Sequence, residues 1–436
     1  MNLQWFLVVT ILVNLQCSGF SMTNFMNSDE NEQKSKHSAF WTRRDFVKDI
    51  IDSKKQENQN IINVDHFGAN GDGSNDAKAF MEAWKKACKT PQSILLVPAN
   101  KTYLLNPPIR FLGPCKPGFI MRVHGTIKAS SNLKEYEKDP ILPRTWVVFY
   151  QLNHFTLDGG GTFDGNGQVW WETSCKVNNR PDCRTDIPPK AVMFNESMNL
   201  KVMNLRFLNA QQMHLTFDNC KGVEASNLLV IAPEESPNTD GIHVFSSQNM
   251  NIKDCIISTG DDCLSIVAGS NNIRATNIRC GPGHGISIGS LGKNRSMDVV
   301  SDIHINKATL LGTTNGVRIK TWQGGRGYAH NIRFEDIRMI NVTNPIIIDQ
   351  NYCDQEEPCH QQNDAVQVNK IVYKDIRGTS ATDVAIRFNC SKTFPCEDIE
   401  LQNVHLFPQR GGGVKTLCAN AELKLGGYVS PGLLCN

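Results

Sequence analysis

From about residue 100 to the C-terminus, short apolar runs of Ile, Val, Leu and Phe are broken every few residues by Asn, Asp or Gly. Runs rich in β-branched and aromatic residues, bounded by turn formers, predict strands rather than helices. The runs also recur. NLKVMNL at 199, GVEASNL at 222, MNIKDCI at 250, NIRATNI at 272, DIHINKA at 302, NIRFEDI at 331, KIVYKDI at 370 and DIELQNV at 398 are variants of one unit, most often 22 to 30 residues apart. A unit of one or two strands cannot bury its apolar face alone; stacked units share a continuous core. The period also suits a leucine-rich repeat, but the Leu-x-x-Leu-x-Leu-x-x-Asn pattern and its convex helices are absent. An all-β parallel β-helix is the architecture predicted. One segment departs from the strand pattern. Phe80, Ala83, Trp84 and Ala87 fall at i, i+3, i+4 and i+7, which predicts a short helix near residues 76–88. Its predicted place is as a cap over the open edge of the first coil. Gly71 and Gly73 precede it without the GK[ST] of a phosphate loop, so they are read as a turn.

The N-terminus follows another pattern. Trp5 to Leu15 is an apolar run too short to span a bilayer, followed by small residues at Ser18 and Gly19. It reads as a signal peptide over 1–19, although no Lys or Arg precedes the run. Residues 20–60 are polar and charged and read as a leader or propeptide. The predicted β-helix domain is 61–436. No second long apolar segment follows, so no membrane anchor is expected. Loss of the signal peptide removes Cys17 and leaves 14 cysteines with no CxxC pair, a usage that points to disulfides in an oxidising compartment rather than to zinc. Cys175 and Cys183, and Cys353 and Cys359, are close in sequence. Asn100, Asn195, Asn294, Asn341 and Asn389 begin glycosylation sequons. Secretion to the extracellular space is the expectation. The charge is nearly balanced, with 45 Lys+Arg against 43 Asp+Glu, which argues against a nucleic-acid partner recognised by a global basic field.

Asp240, Asp262 and His284 lie 22 residues apart in succession, the length of one short coil. In a parallel β-helix, residues one coil apart stack about 4.8 Å from each other, so these three form a ladder on one face. Asp261 adjoins Asp262. A regular strand would point neighbours to opposite faces, so Gly260-Asp261-Asp262 is expected at a turn or bulge that brings both carboxyls out. Three carboxylates in one cleft repel, and at least one should hold its proton more tightly. A protonated acid beside ionised bases is what glycosidic bond cleavage requires. Clustered carboxylates also suit calcium, but His284 within the cluster argues against a hard-cation cage, and neither metal nor cofactor is expected. Arg318 and Lys320 are two apart and leave a strand on the same side, suited to a carboxylate. Lys293 is a possible helper, crowded if Asn294 is glycosylated. His214 is read as a hydrogen-bonded structural histidine.

Asn238-Thr239-Asp240, Gly260-Asp261-Asp262, Gly283-His284-Gly285 and Arg318-Ile319-Lys320 resemble the four motifs of the polygalacturonase family, in the family's order. The FGANGDG opening is similar to its plant branch, and the resemblance runs from about Ile61 to the C-terminus. It implies a right-handed, single-stranded parallel β-helix and inverting hydrolysis of α-1,4-galacturonosyl bonds in pectin by a monomeric enzyme. It implies Asp261 as general acid, Asp240 and Asp262 activating water, and His284 tuning the acid. Asn238, Arg318, Lys320 and Tyr352 would bind substrate. It also implies the bridges Cys263–Cys280, Cys390–Cys396 and Cys418–Cys435. Endo cleavage is favoured over exo, a choice that depends on loops such as Trp170–Pro189. A polysaccharide lyase, which needs an Arg or Lys base and usually calcium, and a non-catalytic wall-binding protein are the competing readings.

Overall fold

The computed structural model describes residues 60–138, 144–177, 183–185, 187–355, 357–432 and 435. The expected signal peptide, and all but the last residue of the expected leader, lie outside the described residues. The first strand is Asn60–Asn63 and the last is Ala421–Ser430. Strands collect into one sheet of 17 and a second of 11. Successive coils pair in parallel, from Phe163 against Phe207 to Leu401 against Leu425. The chain is a parallel β-helix.

The repeat owes its form to two rows of left-handed residues. Asn199, Gly222, Asn249, Asn272, Asp302, Asn331, Lys370 and Asp398 have φ between 52° and 71°. Asn204, Asn227, Asp254, Asn277, Lys307, Asp336, Asp375 and Asn403, five residues further on, have φ between 52° and 56°. Asn, Asp and Gly tolerate this region best, so they take all of these corners except those of Lys307 and Lys370. Their side chains then bond coil to coil: Asn272 Nδ2 donates to Asn249 Oδ1 at 2.7 Å and Asn277 Nδ2 to Asp254 Oδ1 at 2.7 Å.

Between the corners, apolar side chains alternate inward and stack. Val202, Ala225, Ile252, Ala275, Ile305 and Phe334 occupy one register row and are fully buried. Phe149, Phe194 and Phe217 stack in the second sheet, with ring centroids 4.7 and 5.5 Å apart. The helix Ala77–Cys88 (α1) buries Phe80, Ala83, Trp84 and Ala87, the face its periodicity predicts. Trp84 lies 4.6 Å from Phe111 and 4.8 Å from Phe119, so α1 covers the first coil as a cap. The glycine-rich turn before it is engaged locally: Asn70 N–H donates to Asp76 Oδ1 at 2.8 Å.

Six disulfides are present among the described residues: Cys88–Cys115, Cys175–Cys183, Cys263–Cys280, Cys353–Cys359, Cys390–Cys396 and Cys418–Cys435. Cys220 and Cys255 remain as buried thiols, so the even cysteine count does not translate into complete pairing. Among the sequons, Asn100, Asn294 and Asn341 are exposed, whereas Asn195 and Asn389 are half-buried. Both of these are hydrogen-bonded within the second sheet, to Asp218 and Asp349 respectively.

Candidate active site

The second sheet provides the floor of the site. Its inward residues Ile242, Leu264, Ile286 and Val317 follow one another in register, so the alternate positions His243, Ser265, Ser287 and Arg318 form the outward row. Asp240, Asp262 and His284 each stand two residues ahead of an inward residue, at the corner where the chain enters its strand. Backbone bonds from Gly241 N–H to Asp262 O at 2.9 Å and from Cys263 N–H to Gly285 O at 2.8 Å place them on consecutive coils. The ladder expected from the 22-residue spacing is present.

Asp261 and Asp262 lie in a bend rather than a strand. Gly260 permits it, because a Cβ there would meet Ser236 O at 2.0 Å. The Gly260 N–H donates to Thr239 Oγ1 at 3.0 Å, tying this bend to the segment that carries Asn238 and Asp240. Asp262 N–H in turn donates to Asp261 Oδ1 at 2.7 Å. Both carboxyls therefore face the same cleft.

Their partners differ. Asp262 is 2% exposed and surrounded by donors: Arg318 Nη2 and Ser287 Oγ reach Oδ1 at 2.9 and 2.8 Å, and Lys320 Nζ reaches Oδ2 at 2.9 Å. Asp240, 9% exposed, accepts from Ser265 Oγ at 2.7 Å. Asp261 is the most open of the three at 16% and meets His284, 41% exposed, at 3.1 Å. Asn238 Nδ2 donates to its other oxygen at 3.2 Å.

The proton affinities separate accordingly. Burial, then the charges of Asp261 and Asp262, push the Asp240 carboxyl well above the usual carboxylate range. Asp261 moves the other way, to about 2: burial opposes ionisation, but the hydrogen bond and charge of His284, with Lys320 and the Asp262 amide, outweigh it. His284 is raised by the same bond. Asp240 therefore holds its proton more tightly than Asp261, which the 3.1 Å contact with His284 helps keep ionised.

Lys320 Nζ lies 5.3 Å from the centre of the Tyr352 ring, and Tyr352 meets Trp322 edge-on at 5.4 Å. Lys293 is exposed and sits over Trp322 at 5.1 Å. His214 is fully buried, with Nδ1 3.0 Å from Asp240 O and Nε2 accepting from Ala210 N–H at 3.3 Å. It braces the Asp240 segment from behind the cleft. The helix Gln168–Thr173 (α2) and the segment 233–236 border a recess of about 500 Å³ lined by Trp171, Glu172 and Glu235. Within the Trp170–Pro189 loop, 178–182 and 186 lie outside the described residues.

Asp261, Asp262 and His284 have donor atoms within 4.8 Å of one another, close enough to surround a cation. Both Asp262 oxygens are already bound by Arg318 and Lys320, so a cation there would compete with two fixed positive charges.

Sequence reasoning missed His243, whose Nδ1 is 2.8 Å from Ser265 Oγ and 3.9 Å from Asp240 Oδ2. Burial, with the charges of Lys190 and Lys320, lowers it to about 3 and keeps it neutral. The same 22-residue register that links Asp240 to Asp262 links His243, Ser265 and Ser287, and could have found all three.

The sequence profile of Glycosyl hydrolases family 28 matches residues 88–427. Polygalacturonase QRT2 of Arabidopsis thaliana is 49% identical over 413 residues, covering 93% of this chain and 92% of that protein. Polygalacturonase-2 of Solanum lycopersicum is 49% identical over 383 residues, with 87% and 82% coverage. Among solved structures, the polygalacturonase of Erwinia carotovora ssp. carotovora superposes with a TM-score of 0.68 at 24% identity, covering 81% of this chain and 94% of that one. Endo-xylogalacturonan hydrolase of Aspergillus tubingensis gives 0.73 at 22%, with 86% and 98% coverage. At these identities the two structures speak for the fold.

Proposed function

The chain belongs to family 28 of the glycosyl hydrolases and is a glycoside hydrolase of the polygalacturonase type; from that premise we propose that it cuts α-1,4-galacturonosyl bonds of pectin within the chain, with inversion, as a secreted monomer of the cell wall. Among the described residues no helix is long and apolar enough to cross a membrane, and six disulfides suit an oxidising exterior.

The observation that carries the reading is the division of labour among three converging carboxyls. Asp261, the most open, donates a proton to the glycosidic oxygen as the C1–O bond breaks. Asp240 and Asp262 hold the water that attacks C1 from the opposite side, and Asp240 takes its proton. Asp240 holds its proton more tightly than Asp261, so the cycle needs a proton moved from the one to the other first. An arriving galacturonate carboxylate supplies the cause. It competes for Lys320, one of the charges that keep Asp261 ionised, and sets a further negative charge beside Asp261; both changes favour protonated Asp261. When the attacking water loses its proton to Asp240, the starting state returns and no outside proton is consumed.

The test follows products of polygalacturonate with time. A first-formed β-anomer by proton NMR, and a mixture of oligomers rather than monomer alone, are the expected results. A first-formed α-anomer would refute inversion, and unsaturated products would favour a lyase instead.

A further inference from the structure

Lys190 is the first residue of the strand Lys190–Asn195. It lies two residues ahead of inward Val192, which leads through Leu215 to Ile242 in register. Asp240 lies two residues ahead of Ile242. Lys190 and Asp240 therefore hold equivalent places two coils apart, about 10 Å along the stack. On the far side of the acids, Arg318 is likewise two coils beyond the strand that follows Asp262. The three carboxyls stand between two cationic stations.

The first station differs from the second in one respect. Arg318 and Lys320 are tied to Asp262. Lys190 is half-buried; its backbone N–H donates to Arg144 O at 2.8 Å, but its ammonium makes no hydrogen bond or ion pair among the described residues. Its place is the register equivalent of that of Asp240, which faces the cleft, and its ammonium is close enough to sense Asp218, Asp240 and His243. Burial lowers its proton affinity, and the two aspartates partly restore it. A lysine ordinarily extends its ammonium into water. Holding it half-desolvated without a direct partner is costly unless an anion completes the site.

We propose that Lys190 binds the carboxylate of a second galacturonate, on the opposite side of the scissile bond from the sugar held by Arg318 and Lys320; this rests on the polygalacturonase reading above. A uronic-acid polymer presents one carboxylate on every ring. Two cationic stations flanking the acids can therefore fix its register over the bond to be cut. Asp218 and neutral His243 border the Lys190 station, so the ring beside it meets hydrogen-bond acceptors and an imidazole rather than further cations.

The test is binding of hexagalacturonate and its fully methyl-esterified counterpart, by calorimetry at low ionic strength, to full-length Asp261→Asn protein with and without Lys190→Met. The acid hexamer should bind at least about tenfold more weakly to the double variant, the ester should be unaffected, and Lys190→Arg should restore most of the loss. Binding of the acid within twofold of the parent, or equal losses for acid and ester, would overturn the assignment. Melting curves of each variant report folding, and Lys190→Gln gives a second neutral form if the methionine variant is unstable. Reducing-end release from the acid hexamer by the unmutated protein is measured alongside. Hydrolysis with no Lys190 effect sinks only this subsite; a Lys190 effect with no hydrolysis sinks the reaction instead.

Discussion

Asp240 and Asp261 have the same side chain, and their surroundings send their proton affinities in opposite directions. If Asp261 is the acid, Asp261→Asn keeps the fold and loses about 10²- to 10⁴-fold in turnover. Steady-state assay on polygalacturonate checks this, and a variant retaining more than about a tenth of the rate removes Asp261 from the role. Asp240 yields a stability prediction. Its folded proton affinity lies above the ordinary aspartate value of 3.8. Above that pH the unfolded chain releases a proton that the folded site retains, so stability falls as pH rises from about 3.8 toward the folded value. Asp240→Asn should therefore melt higher than the unmutated protein at pH 7, with the gap closing below pH 3.8, while activity is lost. Equal melting temperatures at both pH values would contradict the assignment. His284 has the opposite sense. Its pairing with Asp261 contributes stability that is present below its unfolded value of 6.5 and is lost as pH rises through the raised folded one.

Each coil is an element whose corners depend on single residues. Asn277 is exposed, has φ of 56°, and bonds to Asp254 one coil below. Asn277→Val places a β-branched side chain in a left-handed corner and loses the bond, at a cost of about 1–3 kcal/mol. Asn277→Gly loses the bond but relieves the backbone, and should cost clearly less. Denaturant midpoints of the two variants check the order; a valine variant as stable as the glycine one would mean that conformation at this corner contributes little. Helix α1 depends on packing rather than corners. Trp84 contacts Phe111, Phe119, Phe149 and Phe155, which is why the cap was visible in the periodicity of four residues.

Over the whole molecule, charge is nearly balanced, so a polyanion meets no global attractive field and its binding depends on local cations. Esterification removes the charge that Arg318 and Lys320 are proposed to read. De-esterified pectin should be cut at least about tenfold faster, by kcat/KM, than highly methylated pectin at the same ionic strength. Equal rates on the two substrates would deny those residues a part in recognition.

By itself the sequence determined the coil. Its repeat of inward apolar residues between corners buries its apolar face by stacking, and stacking makes a 22-residue spacing a contact where the coil is 22 residues long, as it is from Ile242 to Leu264 and on to Ile286. The acid ladder and the α1 cap were legible because periodicity is a local property of the chain. Asp261 beside Asp262, and Arg318 two before Lys320, were legible as pairs for the same reason. Tertiary structure alone decided which cation meets which carboxyl, because those contacts are made through space: Arg318 and Lys320, 56 and 58 residues away, close on Asp262, while His284 closes on Asp261. It also decided that Cys220 and Cys255 stay unpaired inside the core, and that Lys190, in an unremarkable stretch of sequence, stands on the floor of the cleft. Spacing reports which coil a residue occupies. Only the packed sheets settle what each side chain meets there, because the energies of charge and desolvation depend on distances that no periodicity encodes.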